Sequence, residues 1–262
     1  MADAQAYFTD NAALTEHNRV ASDVSVLSAQ AAVRFPELDL GDGELAFSGG
    51  YRFQDFSYGL LSGRTDHDVN PSGLTLRQLD FRTHTGFLRG DWTDASGWFA
   101  GSEGRFTAYV SSYSDKTTYQ EWSPTVYGGK VVTLGEANFL TLSADADYRF
   151  SHTMFTLGAV GADLNDRYDL GFNVAYAHVF GEHWVVQSAY RFQYSQFTRG
   201  AGTTNANRMD YTHSLSLTVA YVIDRHFSIR AYGSYEARDA VNAPDDFQAG
   251  IGGIGAMAAV TF

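Results

Sequence analysis

Apolar and polar residues alternate along much of the chain. In "WVVQSAYRFQYSQF", residues 184–197, one parity holds Trp184, Val186, Ser188, Tyr190, Phe192 and Tyr194. The other holds Val185, Gln187, Ala189, Arg191, Gln193 and Ser195. A β-strand sends successive side chains to opposite faces, so this stretch predicts a ribbon with one greasy and one wet side. The same split recurs in "FLTLSADADYRF" (139–150), "YTHSLSLTVAY" (211–221) and "FSIRAYGSYEAR" (227–238). It is weaker around 20–34 and 153–164, where Ala and Gly blur the contrast.

Extending this reading predicts strands at 20–34, 44–58, 74–90, 97–113, 137–150, 153–164, 168–180, 184–198, 210–223, 227–238 and 251–262. Most are longer than the usual strand of about 5–6 residues. Crossing a bilayer takes about 9–11 tilted residues. The connections alternate in length. "SH" (151–152), "GEH" (181–183) and "DRH" (224–226) are tight, while 59–73, 114–136, 200–209 and 239–252 are long. Short turns on one side and long loops on the other describe an outer-membrane barrel. The fold class expected is all-β: a closed antiparallel transmembrane β-barrel of about 12 strands.

Composition agrees with strands rather than spanning helices. Aromatic residues make up 15% of the chain, Gly numbers 26 and Pro only 4. Mean hydropathy is −0.24, and no run approaches the roughly 18 apolar residues of a membrane helix. Cysteine is absent, which excludes disulfides, thiolate metal sites and thiol catalysis. The formal charge of −12 argues against nucleic acid as a partner. No linker divides the chain. "MADAQAYF" has neither a basic start nor an apolar core, and reads as a processed chain with an added Met1.

The chain finishes "GIGGIGAMAAVTF" on Phe262. In a closed barrel the last strand pairs with the first, so an apolar strand at the end is structural. Val260 and Phe262 resemble the C-terminal assembly signal of Gram-negative outer-membrane proteins. That family pattern has Gly where Met257 stands here, with Gly255 two residues away. The resemblance implies recognition by the outer-membrane assembly machinery and a location in the bacterial outer membrane. The stretch from 184 to 262 also resembles uncharacterised porin-like barrels, some of which serve exopolysaccharide export.

Counting sides back from Phe262 calls for one more strand before residue 20, since these barrels have an even strand number. Residues 1–19 are therefore expected to form an irregular first strand or a plug in the lumen, and 20–262 the barrel.

Candidate chemistry lies on the polar parity. It holds Arg34, Arg52, Asp80, Arg82, Glu103, Arg105, Asp145, Asp147, Arg149, Arg191, Arg230, Glu236 and Arg238. These residues either fill the barrel as a salt-bridged core or line a wet pore; about 12 strands is compatible with both. Both signs are present, which predicts weak ion selectivity and suits a polar solute such as a sugar. A lipid-acting barrel enzyme would need His and Ser two apart on one face. His226 and Ser228 have that spacing, but at a tight turn on the inferred periplasmic side. The acidic loops at 64–70 and 243–247 read as solvated charge, and no metal or cofactor is expected.

The leading expectation is a non-enzymatic, narrow passive channel for small polar solutes, in contact with outer-membrane lipid and lipopolysaccharide. The second is a conduit or anchor of an export or assembly complex, which would add a periplasmic or export partner. The third is a lipid-modifying enzyme.

Overall fold

The computed structural model describes residues 2–9, 24–58, 79–154, 165–199, 205–224, 226–242 and 246–258. They form one antiparallel sheet of thirteen segments. In chain order these are β1 (Ala2–Thr9), β2 (Val24–Arg34), β3 (Leu38–Leu40), β4 (Gly43–Tyr58), β5 (Phe81–Asp94), β6 (Trp98–Ser111) and β7 (Thr117–Thr133). β8 (Asn138–Thr153), β9 (Arg167–Phe180), β10 (Trp184–Phe197), β11 (Met209–Val222), β12 (Phe227–Val241) and β13 (Phe247–Ala258) follow.

From β4 to β13 each strand pairs with the next. β1 pairs with β13 on one side and β2 on the other, and β2 pairs with β4. The short β3 pairs with the start of β4, below the stretch that β2 covers. β2 and β3 thus share one place in the wall, and thirteen segments occupy twelve positions. The sheet is curled like a barrel.

The two ends of the sheet differ. Reversals at 41–42, 95–97, 134–137, 181–183 and 223–226 are tight and lie at one end. Gly41, Gly97, Gly135 and Gly181 have positive φ there, which L side chains rarely adopt, so Gly closes these turns at little cost. Asp94 braces one of them by accepting the backbone N–H groups of Ser96 (2.9 Å) and Trp98 (2.8 Å). The longer connections lie at the other end. Both β1 and β13 meet the short-turn end, where Ala2 pairs with Ala258.

The faces are inverted relative to a soluble protein. On β11, Leu215 and Leu217 are 59% and 51% exposed, while Asp210 is 3% exposed. Large apolar side chains point outward all round the described wall, including Leu88, Val126, Leu142 and Ile254. Aromatic residues flank them. Near the short-turn end Trp184 packs on Tyr221 (4.8 Å between centroids), and the Lys130 ammonium sits over Trp98. Near the other end Tyr194 packs on Tyr211, and Trp122 on Phe150. Trp184 and Tyr194 are ten residues apart on β10. At about 3.4 Å per residue and a tilt of roughly 40°, that spacing spans about 25 Å, the height of an outer-membrane apolar band.

Two expectations are corrected. Residues 114–136 are not a long loop. They contain β7, the longest strand, paired with β6 and β8. Nor is Ser151–His152 a turn, because β8 runs through it and Ser151 stands opposite Glu121. The strand expected at 153–164 falls outside the described residues from 155 on, and β8 pairs directly with β9. The number of positions still comes to twelve, since β7 fills one that was not expected.

Candidate functional site: a charged inner wall

Opposite charges two residues apart recur on six strands. They are Arg89 and Asp91 on β5, Glu103 and Arg105 on β6, Asp147 and Arg149 on β8, and Arg167 and Asp169 on β9. Arg208 and Asp210 open β11, and Glu236 and Arg238 lie on β12. Residues two apart share a face, so the two charges of each pair can meet on it. The order within the pair reverses when the strand direction reverses. As a result every one of these arginines lies toward the long-loop end of its strand, with its acid toward the short-turn end.

Contacts join the pairs into a network. Arg89 Nε is 2.7 Å from Asp91 Oδ2, and Arg208 Nε is 2.7 Å from Asp210 Oδ1. Arg167 Nε is 3.1 Å from Asp169 Oδ1. Arg149 reaches across strands to Asp169 (3.4 Å) and Glu121 (3.7 Å), and Arg238 reaches Asp210 (3.7 Å). Arg105 makes a longer contact of 3.8 Å with Glu103. Asp169 is 1% exposed and is contacted by both Arg149 and Arg167.

Two contacts jump over a whole strand. Asp91, Gly101, Tyr127, Asp145, Gly171 and Gln193 stand in register across β5 to β10. The Tyr127 hydroxyl donates to Asp91 across Gly101 on β6. Arg191 Nη1 and Nη2 donate to Asp145 Oδ1 (2.6 Å) and Oδ2 (2.8 Å) across Gly171 on β9. A Cβ on Gly171 would sit 2.5 Å from both Arg191 Nη2 and Asp145 Oδ1. The Arg89 guanidinium lies 5.0 Å from the centre of the Tyr127 ring. The result is a belt of side chains braced across half the wall.

A pocket of about 320 Å³ opens on this belt. Its polar lining comes from Arg89, Glu103, Arg105, Thr125, Ser143, Asp145, Asn173 and Arg191, with Phe99 and Tyr127 as rings. Beside it lies a crowded patch in which Arg105 Nε, Ser123 Oγ, Thr125 Oγ1, Asp147 Oδ2 and Arg149 Nε are buried with no hydrogen-bond partner. Toward the long-loop end, the inner face carries an aromatic row: Phe56 stacks on Phe81 (4.3 Å), followed by Tyr109 and Tyr119.

The residues singled out from the sequence fall into three groups. Glu103, Arg105, Asp145, Asp147, Arg149, Arg191, Glu236 and Arg238 share the face just described. Arg230 lies on it too, nearer the short-turn end, as does Arg52, which donates to Gln30 (2.7 Å). Arg34 stands at the exposed end of β2 against Glu37 (2.6 Å). Asp80 precedes β5 and is buried, accepting the Tyr58 backbone N–H (2.9 Å). Arg82 is different. Thr83 and Thr85 are the buried positions of β5, so Arg82 points to the opposite face, 3.9 Å from Asp55.

That misplaced phase hid Arg89 and Asp91. Glu121 was hidden with β7. Arg167, Asp169, Arg208 and Asp210 went unread although their spacing matches the others. Val260 and Phe262 lie outside the described residues, as do the loop at 64–70 and residues 243–245 of the loop at 243–247. His226 sits at its turn, 3.8 Å from Asp224.

Neither a protein-family model nor a curated protein matches the chain. Solved structures do. An outer-membrane channel from Pseudomonas putida F1 superposes with a TM-score of 0.61 at 10% identity, over 97% of this chain and 94% of that one. The β domain of the Bordetella autotransporter BrkA gives 0.58 at 11%, over 99% and 98%. The NanC porin gives 0.53 at 9%, over 99% and 100%. With the inverted faces and flanking aromatics, this likeness defines the class. The chain has the fold of bacterial outer-membrane β-barrel proteins.

Proposed function

We propose that the twelve strand positions close into a transmembrane barrel, and that this barrel is a narrow passive channel for small polar solutes. The pairings of β1 with β13 and β2 support closure, because an open edge would leave unpaired backbone groups in lipid. The observation that carries the channel reading is the inner wall, where charged side chains of both signs share one face of the sheet and a pocket remains between them. A wall of this kind favours polar solutes and discriminates weakly between simple ions. The proposal includes no enzymatic activity, metal or cofactor. Its partners are outer-membrane lipid, lipopolysaccharide and the assembly machinery, with Val260 and Phe262 as the assembly signal.

The test is conductance. The purified folded protein should give small, stepwise currents in planar bilayers. A folded protein that stays electrically silent overturns the channel. The conduit or anchor of an export complex would then lead, a reading favoured by the strand-crossing ion pairs, which stiffen the wall whether or not solute passes.

A further inference from the structure

We propose that the pocket on the inner belt is a binding subsite for a single uncharged sugar ring. It rests on the channel reading for the sugar's route of access. The pocket's volume of about 320 Å³ is at the small end of ligand sites and suits one such ring.

The chemistry of the walls selects hydroxyl groups. Arginine offers only donors and an ionised carboxylate only acceptors, and both line this one space. Arg191 and Asp145 are closed on each other in a bidentate pair, as is Arg89 on Asp91 just outside the lining. Their charges are therefore largely offset. A simple ion is attracted by one partner and repelled by the other. A hydroxyl donates and accepts at once, and a polyol can satisfy both kinds of wall. Ser143 and Asn173 add hydrogen-bonding groups with no side-chain partner among the described residues.

The pocket also has an apolar platform. The Phe99 ring lies over Gly129 of β7, so close that a Cβ there would be 2.7 Å from Phe99 Cζ. The tip of the ring thus reaches Gly129, and Phe99 also lines the pocket. Sugar rings present C–H groups on their faces and hydroxyls at their edges. A ring stacked on Phe99 would turn its hydroxyls to Asn173, Ser143 and the arginine–carboxylate pairs.

The experiment is saturation-transfer NMR on the folded protein in detergent, with methyl glucoside as probe and glycine betaine and methyl phosphate as controls. Methyl glucoside should show transfer to its ring C–H groups, and the controls should not. Phe99→Ala should weaken its binding about tenfold, near the upper worth of one aromatic contact. Asn173→Leu should weaken it as well, and heat-modifiable gel migration checks that both variants are folded. Absent transfer, or transfer equal in wild type and in both folded variants, overturns the sugar site whatever the bilayer shows. Transfer in a protein that conducts nothing overturns the channel and leaves the binding site standing.

Discussion

Gly171 shows what single residues do in this wall. Its lack of a side chain lets Arg191 and Asp145 meet across β9. Gly171→Ala puts a Cβ into that contact and strains one bidentate, charge-assisted pair, worth about 1.5–3 kcal/mol when partly buried. A loss of roughly 2 kcal/mol is expected, read as a lower urea midpoint, and Gly171→Ala with Arg191→Gln should cost little more than either alone. Independent, additive losses would mean that the glycine does not serve the pair. At this scale the sequence was partly legible. Glu103, Arg105, Asp145, Asp147, Arg149 and Arg191 could be placed because clear alternation fixed their parity. Arg82 could not, because the inward positions beside it are Thr83 and Thr85, which carry no hydropathy signal. The glycine gaps were not legible, since Gly171 means something only once Asp145 and Arg191 stand on either side of it.

Strands that alternate strongly were the ones the sequence revealed. β10 and β11 were placed to within a residue or so because lipid faces one side and the polar interior the other. Leu217 tests that orientation. It lies near the middle of β11 on the outer face, and Leu217→Arg should destabilise by about 2–4 kcal/mol if it sits at the bilayer midplane. An unchanged stability in lipid would put this face elsewhere. β7 was missed for a physical reason. Its outward residues include Gln120, Pro124, Gly128 and Lys130, and its inward ones include Tyr119, Tyr127 and Val131, so neither parity reads as apolar. Pro124 has no N–H for the ladder, and the pairing with β8 lapses between Trp122 and Thr125 before resuming in the same register. The difference between loop and strand is measurable. A ten-residue epitope inserted after Thr125 should abolish the folded, heat-modifiable form, whereas the same epitope after Ser114 should be tolerated. Equal tolerance at both places would restore the loop reading.

On the scale of the whole molecule, the outer surface sets where the protein sits and the inner surface sets what passes. The outer band and the tight turns gathered at one end were expected from the alternation and the loop lengths. The charge pairing was not, because it depends on strand direction: "RGD", "EGR", "DYR", "RYD", "RMD" and "EAR" become one arrangement only after alternate strands are reversed. This arrangement bears on ion selectivity. Two unit charges each ~5 Å from a passing ion change its energy by about 1–2 kcal/mol in a water-like medium, before salt screens them. Asp145→Asn with Asp147→Asn takes the carboxylate partner from Arg191, removes a second acid near Arg149, and should shift the permeability ratio several-fold toward anions. Arg191→Gln with Arg230→Gln should shift it the other way. Reversal potentials in a potassium chloride gradient measure both, and the shifts should shrink as the salt is raised. If the wild-type protein conducts and neither double variant moves the reversal potential even at low salt, these charges do not border the path.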